Sequence, residues 1–147
     1  MVELKPITKE NYMECLELRV SDSQSTYIAS NMKSLAQAFV FQDTAFPFAV
    51  YAGELMVGFV FLSFRDGTRG DVWRLMIDEK YQGRGYGRAA LLASIKHLRE
   101  NYNPEEIYIC STNPVSEKLY ESVGFRRCGE ARGEMGEEVD MLLDMDK

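Results

Sequence analysis

Gln82-Gly83-Arg84-Gly85-Tyr86-Gly87-Arg88, near the middle of the chain, decides how the rest is read. An apolar run, Val72 to Ile77, leads into it through Asp78-Glu79-Lys80-Tyr81, and a helical pattern leaves it at Gly85. Glycine at every second position lets the backbone approach a ligand with no Cβ in the way. The N–H groups there fall at a helix N-terminus, where unpaired donors and the helix dipole favour an anion. Arg84 and Arg88 add positive charge, so the stretch reads as a phosphate-binding turn.

Two nucleotide-binding patterns fail here. A P-loop needs Gly-Lys followed by Ser or Thr, and the chain contains no Gly-Lys pair. A dinucleotide fingerprint can be forced as Gly85-x-Gly87-x-x-Ala90, but it needs an acidic residue at the end of the next strand. Glu105 and Glu106 lie before that strand, on the wrong side. A glycine-rich turn that merely opens a helix stays open as a reading until a second motif is considered.

The 147 residues suit one domain, 1–147, large enough to bury about 68–70% of its unfolded surface. No apolar run approaches the ~20 residues of a membrane span, and Met1-Val2-Glu3-Leu4-Lys5 lacks the pattern of a signal peptide. Cys15, Cys110 and Cys128 form an odd, scattered set, expected as free thiols in a reducing cytoplasm. With His97 the one histidine, no metal site is expected. The net charge of −6 argues against nucleic acid and for a cationic partner. Basic residues nevertheless cluster at the turn: Arg74, Lys80, Arg84, Arg88, Lys96 and Arg99 against Asp78 and Glu79. Acidic residues gather after Gly129, which is equally consistent with a solvated edge.

Periodicity predicts strands at Glu3–Ile7, Phe46–Ala52, Met56–Phe64, Val72–Ile77, Glu106–Cys110, Phe125–Ala131 and Glu138–Met145. It predicts helices at Glu10–Arg19 with Thr8 as N-cap, Thr26–Phe41, Gly85–Asn101 and Asn113–Val123. His97 falls off the apolar stripe of the third helix and is expected to face solvent. Gly53-Glu54 marks the clearest hairpin, and Gly133 to Gly136 a late turn. The order β-α-α-β-β-β-α-β-α-β-β implies an α/β domain with a mixed sheet, antiparallel early and with a βαβ crossover in the middle.

The second motif is Asn113-Pro114-Val115-Ser116-Glu117-Lys118-Leu119-Tyr120-Glu121-Ser122-Val123-Gly124-Phe125. At 100° per residue, Val115, Leu119 and Val123 form one stripe expected to be buried, with Tyr120 on its edge. That wheel alone suits a structural tyrosine as well as one facing a cleft. The segment resembles Asn-x-x-Ala-x-x-Leu-Tyr-x-x-x-Gly-Phe of the GNAT N-acetyltransferase superfamily, with Ser116 in the alanine's place. Gln82 to Gly87 likewise resembles that superfamily's Gln/Arg-x-x-Gly-x-Gly/Ala acyl-CoA pyrophosphate loop, and the order of elements is similar throughout.

The resemblance implies acetyl transfer from acetyl-CoA to an amine. It assigns Gln82, Gly83, Arg84, Gly85, Tyr86, Gly87 and Arg88 to the pyrophosphate, Asn113 to the pantetheine arm, and the backbone of Leu75, Met76 and Ile77 to the donor carbonyl. It makes Tyr120 the acid that protonates the leaving thiolate. Asp71 matches the position of the family's base, although an Asp after a Gly-rich turn also has structural reasons to be there. Being shorter than the usual Glu, Asp71 suggests an intervening water.

The strings Val20 to Ile28 and Trp73 to Asp78 resemble bacterial spermine/spermidine (diamine) acetyltransferases. Asp22, Tyr27 and Trp73 are then candidates to hold a polyamine by charge and cation–π contact. Equally, Tyr27 and Trp73 suit the core and Asp22 a helix cap. Another amine, such as a peptide amine, and a non-catalytic acyl-CoA-binding module are the alternatives. The family often dimerises, which the sequence leaves undecided.

Overall fold

The strand Leu55–Arg65 is buried on both faces from Met56 to Ser63, as a near-continuous apolar run requires of a strand at the centre of a sheet. The structure, a computed structural model, describes residues 1–20, 30–133 and 136–145, with the side chains of 130–137 outside that description. Its strands are β1 (Glu3–Pro6), β2 (Ala45–Ala52), β3 (Leu55–Arg65), β4 (Arg69–Ile77), β5 (Glu106–Ser111), β6 (Arg126–Gly133) and β7 (Gly136–Asp144). Its helices are α1 (Tyr12–Glu17), α2 (Asn31–Val40), α3 (Tyr86–Tyr102) and α4 (Pro114–Val123), with a short 3-10 turn at Glu79–Tyr81. This is the mixed α/β architecture expected, and the elements follow the expected order.

One seven-stranded sheet runs β1-β2-β3-β4-β5-β7-β6. Every pairing is antiparallel except β4 with β5, the pair joined by the α3 crossover. Side chains alternate between faces along β3. Val57, Val60 and Leu62 join Leu91, Ile95 and Leu98 of α3 and Tyr120 of α4 in one core. Phe59 and Phe61 join Cys15 of α1 and Ala38 of α2 in the other. The sheet is therefore covered by α3 and α4 on one face and by α1 and α2 on the opposite face.

Three local expectations change. Thr8 does not cap α1: its hydroxyl accepts from Glu10 N at 3.3 Å in a preceding turn, and the helix starts at Tyr12. Val115 is 80% exposed, because α4 presents Tyr120 to the sheet and Val115 stands at the free end of its first turn. Leu119 and Val123 pack only partly against the core. His97 is half-buried, its ring centre 4.7 Å from that of Phe48 in an edge-on contact, since the stripe of α3 is wide enough to include it. That burial lowers the His97 pKa, with Glu100 opposing. The start predicted for the second helix, Thr26, and the centre of the turn before Gly136 lie outside the described residues.

Candidate active site

The parallel ladder of β4 and β5 runs from Arg69–Glu106 to Val72–Ile109 and stops. Both strands continue, β4 to Ile77 and β5 to Ser111, with no pairing between them. A bulge explains the divergence: on β3, Leu62 pairs with Val72 and Phe61 with Arg74, so Trp73 is an extra residue in β4. Bulges bend a strand and re-aim it. Past the bulge, β4 still follows β3 up to Gly58–Ile77, and so leaves β5.

Backbone groups alternate in direction along a strand. Asp78 N donates to Val57 O of β3 at 2.8 Å, and a Cβ on Gly58 would meet Met76 O at 2.4 Å, so Asp78 and Met76 face β3. Ile77 O faces the other way and accepts from Gln82 Nε2 at 2.9 Å. Alternation then turns the N–H groups of Leu75 and Ile77 into the opening between the strands.

The glycine turn stands at one end of that opening. Gly83 and Gly85 have φ of +79° and +85°, a region that side chains rarely adopt. A Cβ at either would meet nothing within 4 Å, so the surface above them is open. Gly85 is the N-cap of α3 and supplies no side-chain cap, leaving the first-turn N–H groups available to a bound anion. The donors, open concave backbone and flanking arginine charge fit a pyrophosphate. Arg84 lies over the Tyr81 ring at 5.8 Å, whereas Arg88 donates to Ser122 Oγ at 2.8 Å and so links α3 to α4. Asp78, missed as a site residue, holds the approach to the turn. Its buried carboxylate accepts from Lys80 N at 2.9 Å and from Arg19 N at 3.0 Å.

Helix α4 supplies the second group. Asn113 is its N-cap and accepts from Ser116 N at 2.9 Å, and Pro114 sits where a missing N–H costs nothing. Tyr120 is 7% exposed. Burial, which disfavours the charged phenolate, pushes its pKa up to about 12. The phenol therefore stays protonated at physiological pH. Ser111 and Ser116, whose hydroxyls lie 2.8 Å apart, escaped the motif search because serine is too common to signal anything by itself.

On the α2 side of the sheet a cavity of about 390 Å³ is lined by Gln37 of α2, Phe41 and Thr44 just after that helix, Ser63 and Arg65 of β3, and Asp71 and Trp73 of β4. Trp73 stacks on Phe61 at 4.8 Å and is the bulge residue, which explains how it reaches this wall. Asp71 is 8% exposed and heavily engaged. Arg69 Nη2 lies 2.9 Å from its Oδ1, Arg69 Nε spans both oxygens at 3.2 and 3.3 Å, and Arg65 Nε lies at 3.5 Å. Ser63 Oγ donates at 3.4 Å. Sequence reading missed both arginines, which the β3–β4 turn brings back beside Asp71. Asp22 and Tyr27 lie outside the described residues.

Among the described residues, the grouping with metal-ligating atoms is Cys110, Glu138 and Asp140, within 4.8 Å of one another. Its thiol is committed as a donor to Asp140 Oδ1 at 3.1 Å, and burial raises its pKa. No described helix is long and apolar enough to cross a membrane.

The profile of the Acetyltransferase (GNAT) family matches residues 10–125. A spermine/spermidine N(1)-acetyltransferase of Bacillus subtilis (strain 168) is 36% identical over 140 residues, spanning 88% of this chain and 90% of that protein. A mycothiol acetyltransferase of Thermobispora bispora is 32% identical over 111 residues, 71% of this chain and 37% of that protein. Among solved structures, the spermidine N-acetyltransferase from Vibrio cholerae in complex with CoA and spermine superposes with a TM-score of 0.80 at 18% identity, covering 99% of this chain and 96% of that one. Split sheet, glycine turn and family profile agree over most of the sequence, and the chain belongs to the GNAT family of acetyltransferases.

Proposed function

We propose that the protein transfers acetyl from acetyl-CoA to a primary amine, that the amine is a polyamine such as spermidine or spermine, and that Tyr120 is the general acid. The observation that carries the reading is the opening between β4 and β5 past Val72 and Ile109. The glycine turn borders it, and the Leu75 and Ile77 N–H groups point into it to hold the donor carbonyl. Asn113 and Gln82 to Arg88 hold the rest of the donor. The acceptor enters from the cavity of Asp71 and Trp73, so the two substrates meet at the bulge.

An alkyl ammonium titrates near ~10.4 and must lose a proton before its nitrogen can attack. Asp71 receives that proton through a water, since its oxygens are already committed to Arg69, Arg65 and Ser63. As the C–N bond forms, the C–S bond breaks, and the sulfur takes the proton of Tyr120. The nitrogen's remaining excess proton then restores Tyr120.

Support for a polyamine is the 36% identity to the Bacillus subtilis enzyme over 88% of this chain, together with the acidic net charge. One observation favours a second acceptor: Arg65 in the cavity wall suits an amine that also carries a carboxylate, such as a peptide. Steady-state turnover of acetyl-CoA with spermidine, spermine, free lysine and a lysine-containing peptide separates the two. Highest kcat/KM on spermidine or spermine supports the polyamine. Highest kcat/KM on the peptide rejects it, and binding of CoA without turnover on any amine rejects catalysis.

A further inference from the structure

Asp71 pairs with two arginines, and they are held unequally. Arg69 reaches Oδ1 through Nη2 at 2.9 Å and both oxygens through Nε at 3.2 and 3.3 Å. Its guanidinium also lies over the Tyr108 ring of β5, 3.8 Å from the ring centre. A side-on pair that is stacked on an aromatic ring is a fixed one. Arg65 makes a single contact, from Nε to Oδ2 at 3.5 Å, with its side chain 55% exposed. That distance is near the outer limit of a hydrogen bond, and an exposed pair of this kind is weakly held.

The cavity separates the two further, because Arg65 lines it and Arg69 does not. Ser63, which donates to Oδ2 at 3.4 Å, lines it as well, so Oδ2 is the oxygen turned toward the cavity. An acceptor's ammonium, with the water that carries its proton, must reach Asp71 from this side, where a cation already stands. Arg69 alone balances the charge of Asp71, and Arg65 makes the group of three positive. A further cation therefore meets repulsion at Oδ2 unless Arg65 leaves. Leaving is easy, since Arg65 is the last residue of β3 and gives up one long contact.

We propose that Arg65 sets acceptor affinity as a built-in competitor: it stands at Asp71 in the place of the acceptor's cation and is displaced when the acceptor binds, while Arg69 stays. This rests on the reading that a polyamine enters beside Asp71. One ion pair replaces another, and no proton or electron moves in the exchange. A site that is competent only when Arg65 is away binds with an affinity reduced by the fraction of time it is away.

The test is the affinity of wild type, Arg65→Gln, Arg65→Lys and Asp71→Asn for spermidine, by calorimetric titration with coenzyme A saturating so that no turnover intervenes. Steady-state kinetics with acetyl-CoA and spermidine accompany it. Removal of an exposed ion pair predicts that Arg65→Gln binds spermidine about two- to fivefold more tightly, with the gain in KM rather than in kcat. Arg65→Lys keeps a cation at the same place and should match wild type. Asp71→Asn should lose most spermidine binding, since its amide carries no charge. Unchanged or weaker binding in Arg65→Gln, or full binding in Asp71→Asn, overturns the proposal, and continued turnover of spermidine by wild type then leaves the polyamine reading in place. A loss of turnover on a lysine-containing peptide in Arg65→Gln, with spermidine unaffected, also overturns it, because Arg65 would then hold a substrate carboxylate. A wild-type protein that neither binds nor acetylates spermidine or spermine overturns both.

Discussion

Gly58→Ala tests whether β3 sets the position of the end of β4 proposed to hold the donor. A Cβ on Gly58 would lie 2.4 Å from Met76 O, 2.7 Å from Ile77 Cδ1 and 3.3 Å from Ile77 Cα. The Ile77 methyl can rotate aside, but the carbonyl belongs to the backbone of β4. Contacts below 3.0 Å are essentially never seen, so the strands must separate locally by roughly half an ångström or more. Overpacking of this kind costs about 1–3 kcal/mol, and a weakened ladder hydrogen bond adds about 1 kcal/mol. A total of about 2–4 kcal/mol predicts a melting temperature lower by roughly 4–16 °C at this chain length. The same displacement moves the Leu75 and Ile77 N–H groups, so kcat should fall, because positioning errors near 1 Å cost about 100-fold. Differential scanning calorimetry and steady-state kinetics on one preparation read both effects. Gly129→Ala is the control, since a Cβ there meets nothing within 4 Å. A Gly58→Ala protein that melts within about 1 °C of wild type with unchanged kcat would refute the packing account of the donor strand.

Gly85→Ala should cost about 1–2 kcal/mol from its left-handed φ, a drop of roughly 2–8 °C, yet weaken acetyl-CoA binding by far more than that strain explains. Unchanged affinity by calorimetric titration would remove the turn as the pyrophosphate site. Tyr120→Phe should lower kcat by about 10²- to 10⁴-fold with little effect on acetyl-CoA affinity. Because the Tyr120 pKa is pushed up to about 12, its acid form persists well above neutrality, so Tyr120 should impose no loss of rate up to pH 9. A decline there that disappears in Tyr120→Phe would contradict this. Burial raises the Cys15 pKa to about 11 from its ordinary value of ~8.5. The folded state thus favours the protonated thiol, and that contribution is complete below about pH 8.5 and fades as pH rises through 11. Thermal melts should therefore decline more steeply between those pH values in wild type than in Cys15→Ala, and parallel declines would argue against it.

Much of the fold is written locally. Val- and Phe-rich β3 needs burial on both faces, Gly53 with φ of +64° permits the hairpin turn, and Gly124 with φ of +119° closes α4. The glycine turn is equally legible, because positive φ at alternate residues demands glycine. What escaped the sequence depends on register. Trp73 reaches the cavity through a bulge, and no residue type announces a bulge. Arg65 and Arg69 join Asp71 only because the turn at Asp66 and Gly67 folds β4 back on β3. The apolar wheel misplaced Val115, since it weighs periodicity and ignores which turn of a short helix overhangs the sheet.

Asp78 ties together two parts of the chain that are far apart in sequence. One carboxylate oxygen receives the N–H of Arg19, at the end of the segment after α1, and the other receives the N–H of Lys80, at the start of the phosphate turn. Glu79 N adds a bond to Arg19 O at 2.7 Å. Neither end can shift without straining the other, so under the proposed function ordering of the turn by a bound donor would be felt at Arg19. Such linkage is reciprocal: whatever factor the donor adds to acceptor affinity, the acceptor must return to the donor. Asp78→Ala cuts the carboxylate bridge between the two segments. The enzyme should then bind its two substrates independently, and a synergy between them that survives the substitution would show that Asp78 does not carry it.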